Sequence, residues 1–294
     1  MKLSLFGKKF TGESGIVELM DDLGAALVDH SGMIMMGGGN PGRLPAAEEV
    51  FRRSLESVLS DPEKRHRLFG LYQSPKGDPE FRVELASYLK REFGWQITAR
   101  NIAISNGSQS AFFVLLNMFA GAMPDGSRRS IHLPLTPEYL GYADSGLSEG
   151  FFTATRPGIE LLEDNLFKYH VDFSRLETGD RTGALCVSRP TNPTGNVLTD
   201  EEVAQLDEIA VKRDIPFILD GAYGLPFPGI IFTKATPHWN ENTVLVLSLS
   251  KLGLPGVRTG IIVAREEIIN AYANANGIVN LACGNLGPAV ATEL

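Results

Sequence analysis

Four short stretches of this 294-residue chain hold residue types able to do chemistry. The most telling is Ser248-Leu249-Ser250-Lys251-Leu252-Gly253-Leu254-Pro255-Gly256-Val257-Arg258. Most lysines of a globular protein lie on solvated faces. Lys251 instead follows the apolar run Val244–Leu247 and enters a Gly/Pro loop, between hydroxyls and an arginine. A desolvated lysine has a lowered pKa and becomes a competent amine nucleophile. Schiff-base chemistry is the leading idea, with Ser248, Ser250 and Arg258 as anion ligands. The second stretch is Asp220-Gly221-Ala222-Tyr223, after Pro216–Leu219. A carboxylate ending a buried strand is costly unless paired, although a helix cap also accounts for it. The third, Arg189-Pro190-Thr191-Asn192-Pro193-Thr194-Gly195-Asn196, is a rigid polar turn. Turn chemistry explains its Pro and Gly, but not an amide held between two prolines. The fourth, Asn106-Gly107-Ser108-Gln109-Ser110, opens a helix and offers free N–H groups to an anion. An ordinary helix N-cap is the plainer account of that stretch alone.

The four are more specific together than singly. They supply an anion-binding helix start, a fixed amide, a buried carboxylate and a lysine beside an arginine. A pyridoxal phosphate site needs a phosphate cradle, a hydrogen bond to the ring hydroxyl, a carboxylate on the ring nitrogen and a Schiff-base lysine.

The elements that must position these groups alternate. Strands are predicted at Ile102–Ser105, Ser130–Leu133, Ala184–Ser188, Pro216–Leu219, Val244–Leu247 and Gly260–Ala264. Helices are predicted over Ser108–Ala122, Asp200–Arg213 and Glu266–Gly277, and near Tyr139–Leu147. This alternation predicts βαβ units and a mostly parallel sheet covered on both faces. In such a sheet, ligands bind beyond the carboxyl ends of the strands, where all four stretches fall. Ahead of this core, apolar spacing predicts helices over Gly15–His30, Ala46–Leu59 and Asp78–Phe93. Asp78 would cap the last of these, with Pro79 at its first position.

Composition excludes several classes. Apolar residues are 43% and charged residues 21%, an ordinary globular balance that argues against disorder and coiled coil. Net charge is −8, which disfavours a nucleic-acid binder. Cys186 and Cys283 make no disulfide framework, so a reduced, cytoplasmic compartment is expected. Neither a signal peptide nor a membrane span is expected. The histidines are scattered and HExxH is absent, so no metal site is expected. Gly37-Gly38-Gly39-Asn40-Pro41-Gly42 matches GxGxxG, but no helix opens after it, so a dinucleotide site is rejected. Ser108 lacks the GxSxG elbow of a hydrolase nucleophile, and Cys186 reads as a core residue of a strand.

Asn192-Pro193-Thr194-Gly195, Asp220-Gly221-Ala222-Tyr223 and Ser248-Leu249-Ser250-Lys251 with Arg258 resemble the fold-type I pyridoxal phosphate aminotransferases of class I/II. The resemblance runs over the whole chain. It implies an α/β three-layer sandwich with a mostly parallel seven-stranded sheet. Residues 1–45 would form an N-terminal arm and first helix, and 46–294 the cofactor-binding large domain. It implies that Lys251 carries the cofactor and shuttles a proton, that Asp220 keeps the ring nitrogen protonated, and that Asn192 and Tyr223 hydrogen-bond the ring oxygen. Tyr139 would stack on the ring. Ser108, Gln109, Ser248, Ser250 and Arg258 would hold the phosphate. Tyr72 would reach the phosphate of a neighbouring subunit in a homodimer, and Gly38 or Gly39, with Asn192, would meet the substrate. Tyr72 and Tyr139 also read as simple packing residues. A lyase on the same fold, or a non-catalytic cofactor-binding remnant, are the rival readings. Gly287–Leu294 starts a helical pattern without a stop signal. The resemblance implies that this helix leads into a C-terminal small domain with the arginine that grips the substrate carboxylate; that domain is expected to be missing, and turnover by the 294-residue chain is expected to be poor.

Overall fold

Every second side chain of the central strands enters one of two separate apolar clusters. Ile102, Ile104, Leu185, Val187, Phe217, Leu219, Leu245 and Leu247 pack with Phe81, Leu85, Leu89, Val203 and Leu206. Ala103, Ala184, Cys186, Ile218, Val244 and Val246 pack with Phe112, Leu115, Leu116, Ile268 and Tyr272. This period of two puts helices on both faces of one sheet. The computed structural model describes residues 1–28 and 39–294.

The strands are β1 (Ile102–Ser105), β2 (Gly121–Ala122), β3 (Arg128–Leu133), β4 (Phe152–Ala154), β5 (Gly158–Leu161), β6 (Phe167–His170), β7 (Thr182–Ser188), β8 (Phe217–Asp220), β9 (Thr243–Ser248) and β10 (Gly260–Val263). The helices are α1 (Leu5–Phe10), α2 (Gly15–Val28), α3 (Pro45–Ser60), α4 (Pro62–Gly70), α5 (Pro79–Phe93), α6 (Ser108–Phe119), α7 (Asp200–Lys212), α8 (Glu266–Asn280) and α9 (Leu286–Thr292). The main sheet runs β1-β10-β9-β8-β7-β3-β2, and β4 also pairs with β3. Helices α5 and α7 cover one face, and α6 and α8 the other. A separate two-stranded hairpin joins β5 and β6.

Pairing is parallel from β9 through β8, β7 and β3 to β4. Strand β10 is antiparallel to both β9 and β1. Its first residue, Gly260, therefore lies opposite Ser248 at the end of β9 and Ser105 at the end of β1. The reversal returns Arg258 to the rim that carries the carboxyl ends of the parallel strands.

The architecture expected from sequence is present, with eight strands in the main sheet among the described residues instead of seven. Asp78 caps α5 by accepting the Phe81 N–H at 2.9 Å, with Pro79 in the first turn as expected. The helix expected near Tyr139–Leu147 is a single 3-10 turn, Leu140–Tyr142. A Cβ on Gly141 would strike the Tyr139 ring, and one on Gly146 the Phe151 ring. Here the backbone packs directly on aromatic rings, and two glycines lower the helical preference further. Both cysteines are buried and unpaired, and Cys186 lies within β7 as expected. No helix among the described residues is long and apolar enough to cross a membrane.

Candidate active site

The carboxyl ends of β1, β7, β8 and β9 deliver the chemistry to one rim. At the end of β9, Ser248 turns inward and its Oγ accepts the Ser250 N–H at 3.1 Å. This contact bends the chain so that Lys251 leaves the strand end in a turn. Lys251 is half-buried, and its Nζ donates to the Gly39 carbonyl. The same nitrogen lies 5.1 Å from the centre of the Tyr223 ring. Burial, and next the charge of Arg258, hold the Lys251 amine below the ordinary lysine range. Both effects disfavour the ammonium and free the nitrogen lone pair.

Arg258 has φ +46°, the left-handed region that an arginine rarely adopts. Its Nη1 donates to Ser250 Oγ and to the Pro255 carbonyl, both at 3.4 Å. The guanidinium lies over Gly107, where a Cβ would collide with it. Gly107 has φ +84° and caps α6 without any side-chain hydrogen bond. The first amides of α6 thus stay open beside a cation, as an anion site requires. Ser108 is the first residue of that helix. Gln109 spends its amide differently, donating to the Gly141 carbonyl at 2.7 Å and leaving Oε1 buried and unpartnered.

The other side of the rim is anionic and closed. Asp220 ends β8 and is 6% exposed. Its Oδ1 accepts the Ala222 N–H at 2.9 Å, and its Oδ2 accepts from the Tyr142 hydroxyl. Burial pushes the Asp220 carboxyl up, and these two donors only partly offset it. Glu138 lies nearby, accepting Ser188 N–H at 2.9 Å and the Ser188 hydroxyl. Ser188 is the register partner of Asp220 across β7 and β8. Part of Glu138 is accessible, but its carboxyl sits deep among neighbouring atoms. Burial, and to a lesser degree Asp220, push it up to about 8. Tyr139 and Tyr223 are half-buried and both raised, first by burial and then by Asp220. The Tyr139 ring meets Tyr142 edge-on at 5.4 Å.

Asn192 sits half-buried in the turn after β7. Arg189 fixes that turn: it is buried and donates to the carbonyls of Leu198 and Thr236 and to Asp200 Oδ1. The structure thus brings Lys251, Arg258, Ser250, the start of α6, Asp220, Tyr223 and Tyr139 to one rim, with Gly39 against the lysine. Gly38 lies outside the described residues. Tyr72 is 87% exposed and lines a separate surface cleft with Gln73, Asn280 and Gly284. Another cleft, lined by Lys64, Arg67, Asp78, Glu80 and Glu293, is held together by ion pairs. Neither cleft contains the lysine, so the chemistry points to the rim. Among the described residues no group of three or more His, Cys, Asp or Glu could hold a metal.

Sequence reasoning missed Glu138 and Tyr142. Both come after β3 at the same rim. Glu138 carries a usable signal, a carboxylate a few residues past a strand end. Tyr142 acts only through a tertiary contact and carries no spacing signal.

Chemically, the rim can take an anion at α6 and Arg258, a carbonyl at Lys251 and a cationic ring nitrogen at Asp220. Known proteins resemble this chain closely. The aminotransferase class I and II family matches residues 148–294. Valine–pyruvate aminotransferase of Escherichia coli (strain K12) is 53% identical over the whole chain, which spans 70% of that protein. A solved structure of valine–pyruvate aminotransferase from Salmonella typhimurium LT2 superposes with TM-score 0.83 at 49% identity, covering 95% of this chain and 68% of that one. The asparagine–oxo-acid transaminase of Streptococcus mutans is 27% identical over 73% of this chain, which spans 53% of its length. The chain belongs to the class I and II aminotransferases.

Proposed function

We propose that this protein is a pyridoxal phosphate-dependent aminotransferase moving an amino group between an aliphatic amino acid such as valine and a 2-oxo acid such as pyruvate. The observation that carries this reading is the amine of Lys251, held below its ordinary range beside Arg258, on the same rim as the buried carboxylate of Asp220. The choice of valine and pyruvate rests on the similarity to the two enzymes of that name.

The residues fit the cofactor. The uncapped start of α6 faces Arg258 across Gly107, where any side chain would fill the cradle. When bound, pyridoxal phosphate supplies an aldehyde for covalent attachment and a protonated ring that withdraws electrons. Lys251 would hold it through Nζ, and would afterwards take and return a proton at that nitrogen. Its lowered pKa makes the unprotonated share of this amine larger than that of an ordinary lysine. Asp220 would hold the proton on the ring nitrogen, and Tyr223 with Asn192 would meet the ring oxygen. Tyr139 would stack on the ring. Arg258, Ser250, Ser108 and the Gln109 N–H would hold the phosphate, with Ser248 shaping the loop that presents Ser250. Gly39 and Gly38 would border the substrate. Tyr72, exposed on this subunit, would serve the site of a second copy in a homodimer. Residues 1–45 act as an arm and 46–294 as the cofactor-binding domain of a cytoplasmic enzyme.

Product analysis tests this. With the cofactor-loaded protein in stoichiometric amount, incubation with valine and pyruvate is expected to yield alanine and 3-methyl-2-oxobutanoate in equal amounts. Release of carbon dioxide or ammonia instead would assign lyase chemistry.

A further inference from the structure

Asp220 is served by a residue that no motif marks. Tyr142 is 2% exposed and packs between Phe112, at 4.9 Å, and Tyr139, at 5.4 Å. Its hydroxyl donates to Asp220 Oδ2. The other carboxylate oxygen takes one backbone N–H, from Ala222. The remaining ionisable groups facing this point are Glu138 from the β3–β4 connection, Cys186 from β7, and Tyr139 and Tyr223 at the rim. All of them are acids, and among the described residues no cation offsets the burial of Asp220.

We propose that Tyr142 is a positioning residue that keeps Asp220 ionised and thereby fixes the proton on the cofactor's ring nitrogen. The inference rests on the reading that Asp220 faces that nitrogen. A hydrogen bond donated to a carboxylate favours its charged form. The donor role is secure, because burial and Asp220 together push the Tyr142 phenol well above its ordinary range. Two edge and tilted ring contacts lock the phenol, so the hydroxyl meets Oδ2 without losing side-chain freedom on binding. Loss of one charge-assisted bond corresponds to about one to two pH units.

The test uses cofactor labelled with 15N in the ring, bound to the full chain, with the nitrogen chemical shift followed against pH. Wild type is expected to stay protonated to high pH. Asp220→Asn should move the shift to that of an unprotonated ring; an unchanged shift there would overturn the reading of Asp220 itself. Tyr142→Phe should lower the titration midpoint by about one to two units, with kcat falling about ten-fold or more and KM for the amino acid nearly unchanged. A midpoint identical to wild type in Tyr142→Phe, while Asp220→Asn shifts, overturns the role of Tyr142 alone. Adding Tyr142→Phe to Asp220→Asn should change nothing further. If Tyr142→Phe does not fold, Tyr142→4-aminophenylalanine keeps the shape with a weaker donor. Its midpoint should fall by about half a unit or more, and an unmoved midpoint overturns the proposal.

Discussion

Over β1, β10 and β9 the rim carries Lys251, Arg258 and the open start of α6; over β8, β7 and β3 it carries Asp220, Glu138 and Tyr142. The first half is cationic and partly open, with Arg258 exposed to solvent. The second half is anionic and closed, and its carboxyls are both pushed upward by burial. The topology makes the difference. Antiparallel β10 returns the chain to the rim through a loop, which leaves Arg258 near water. Parallel β8 and β7 end inside, at Asp220 and Ser188, which are buried. A charge near water keeps its solvation and recruits ligands by attraction, whereas a charge inside depends on each donor it is given. Function in the closed half should therefore be the more sensitive to single atoms.

Asp220→Asn is the largest expected break in this contrast. It should slow amino transfer on the order of 10²–10³-fold, read by single-turnover absorbance with valine, while phosphate-end affinity changes little. Glu138→Gln tests the closed half through stability. In the cofactor-free chain Glu138 rises from 4.5 to about 8. The native state then holds a proton that the unfolded chain releases between those values. That stabilisation is complete below about pH 4.5 and is lost as pH rises through about 8. The glutamine variant should lack this decline, a difference on the order of 3–4 kcal/mol between pH 5 and 8 in denaturant titrations.

Arg258→Ala should cost about 10- to 100-fold in cofactor affinity. Because Arg258 is exposed, wild-type affinity should weaken with salt more steeply than that of the variant. Gly107→Ala is the smallest change. Its φ of +84° and the guanidinium above it should cost roughly 1–2 kcal/mol in stability, measured by thermal unfolding. If Arg258→Ala proved more damaging to catalysis than Asp220→Asn, the contrast between the halves would fail.

The open half was readable from residue order, because Ser250, Lys251 and Arg258 are neighbours in one loop and Gly107 opens one helix. The closed half was readable only where a strand end announced it, at Asp220. Glu138 and Tyr142 reach Asp220 across the sheet, through Ser188 and a phenol hydroxyl, and contacts of that kind leave no local pattern. The fold was legible for the same reason as the open half. Its continuous apolar strands and capped helices are local signals, as the Asp78 cap of α5 shows. The Tyr139–Leu147 segment was misread because its form is set by Gly141 and Gly146 lying against aromatic rings, a tertiary constraint that overrides local preference. The short edge strands β2 and β4 are too brief to show periodicity.

The central claim is that Lys251 carries the cofactor. Borohydride reduction of the loaded protein, followed by peptide mapping, should place the cofactor's mass on Lys251, and Lys251→Ala should retain no adduct. An adduct on another lysine, or one that survives the substitution, would contradict the account.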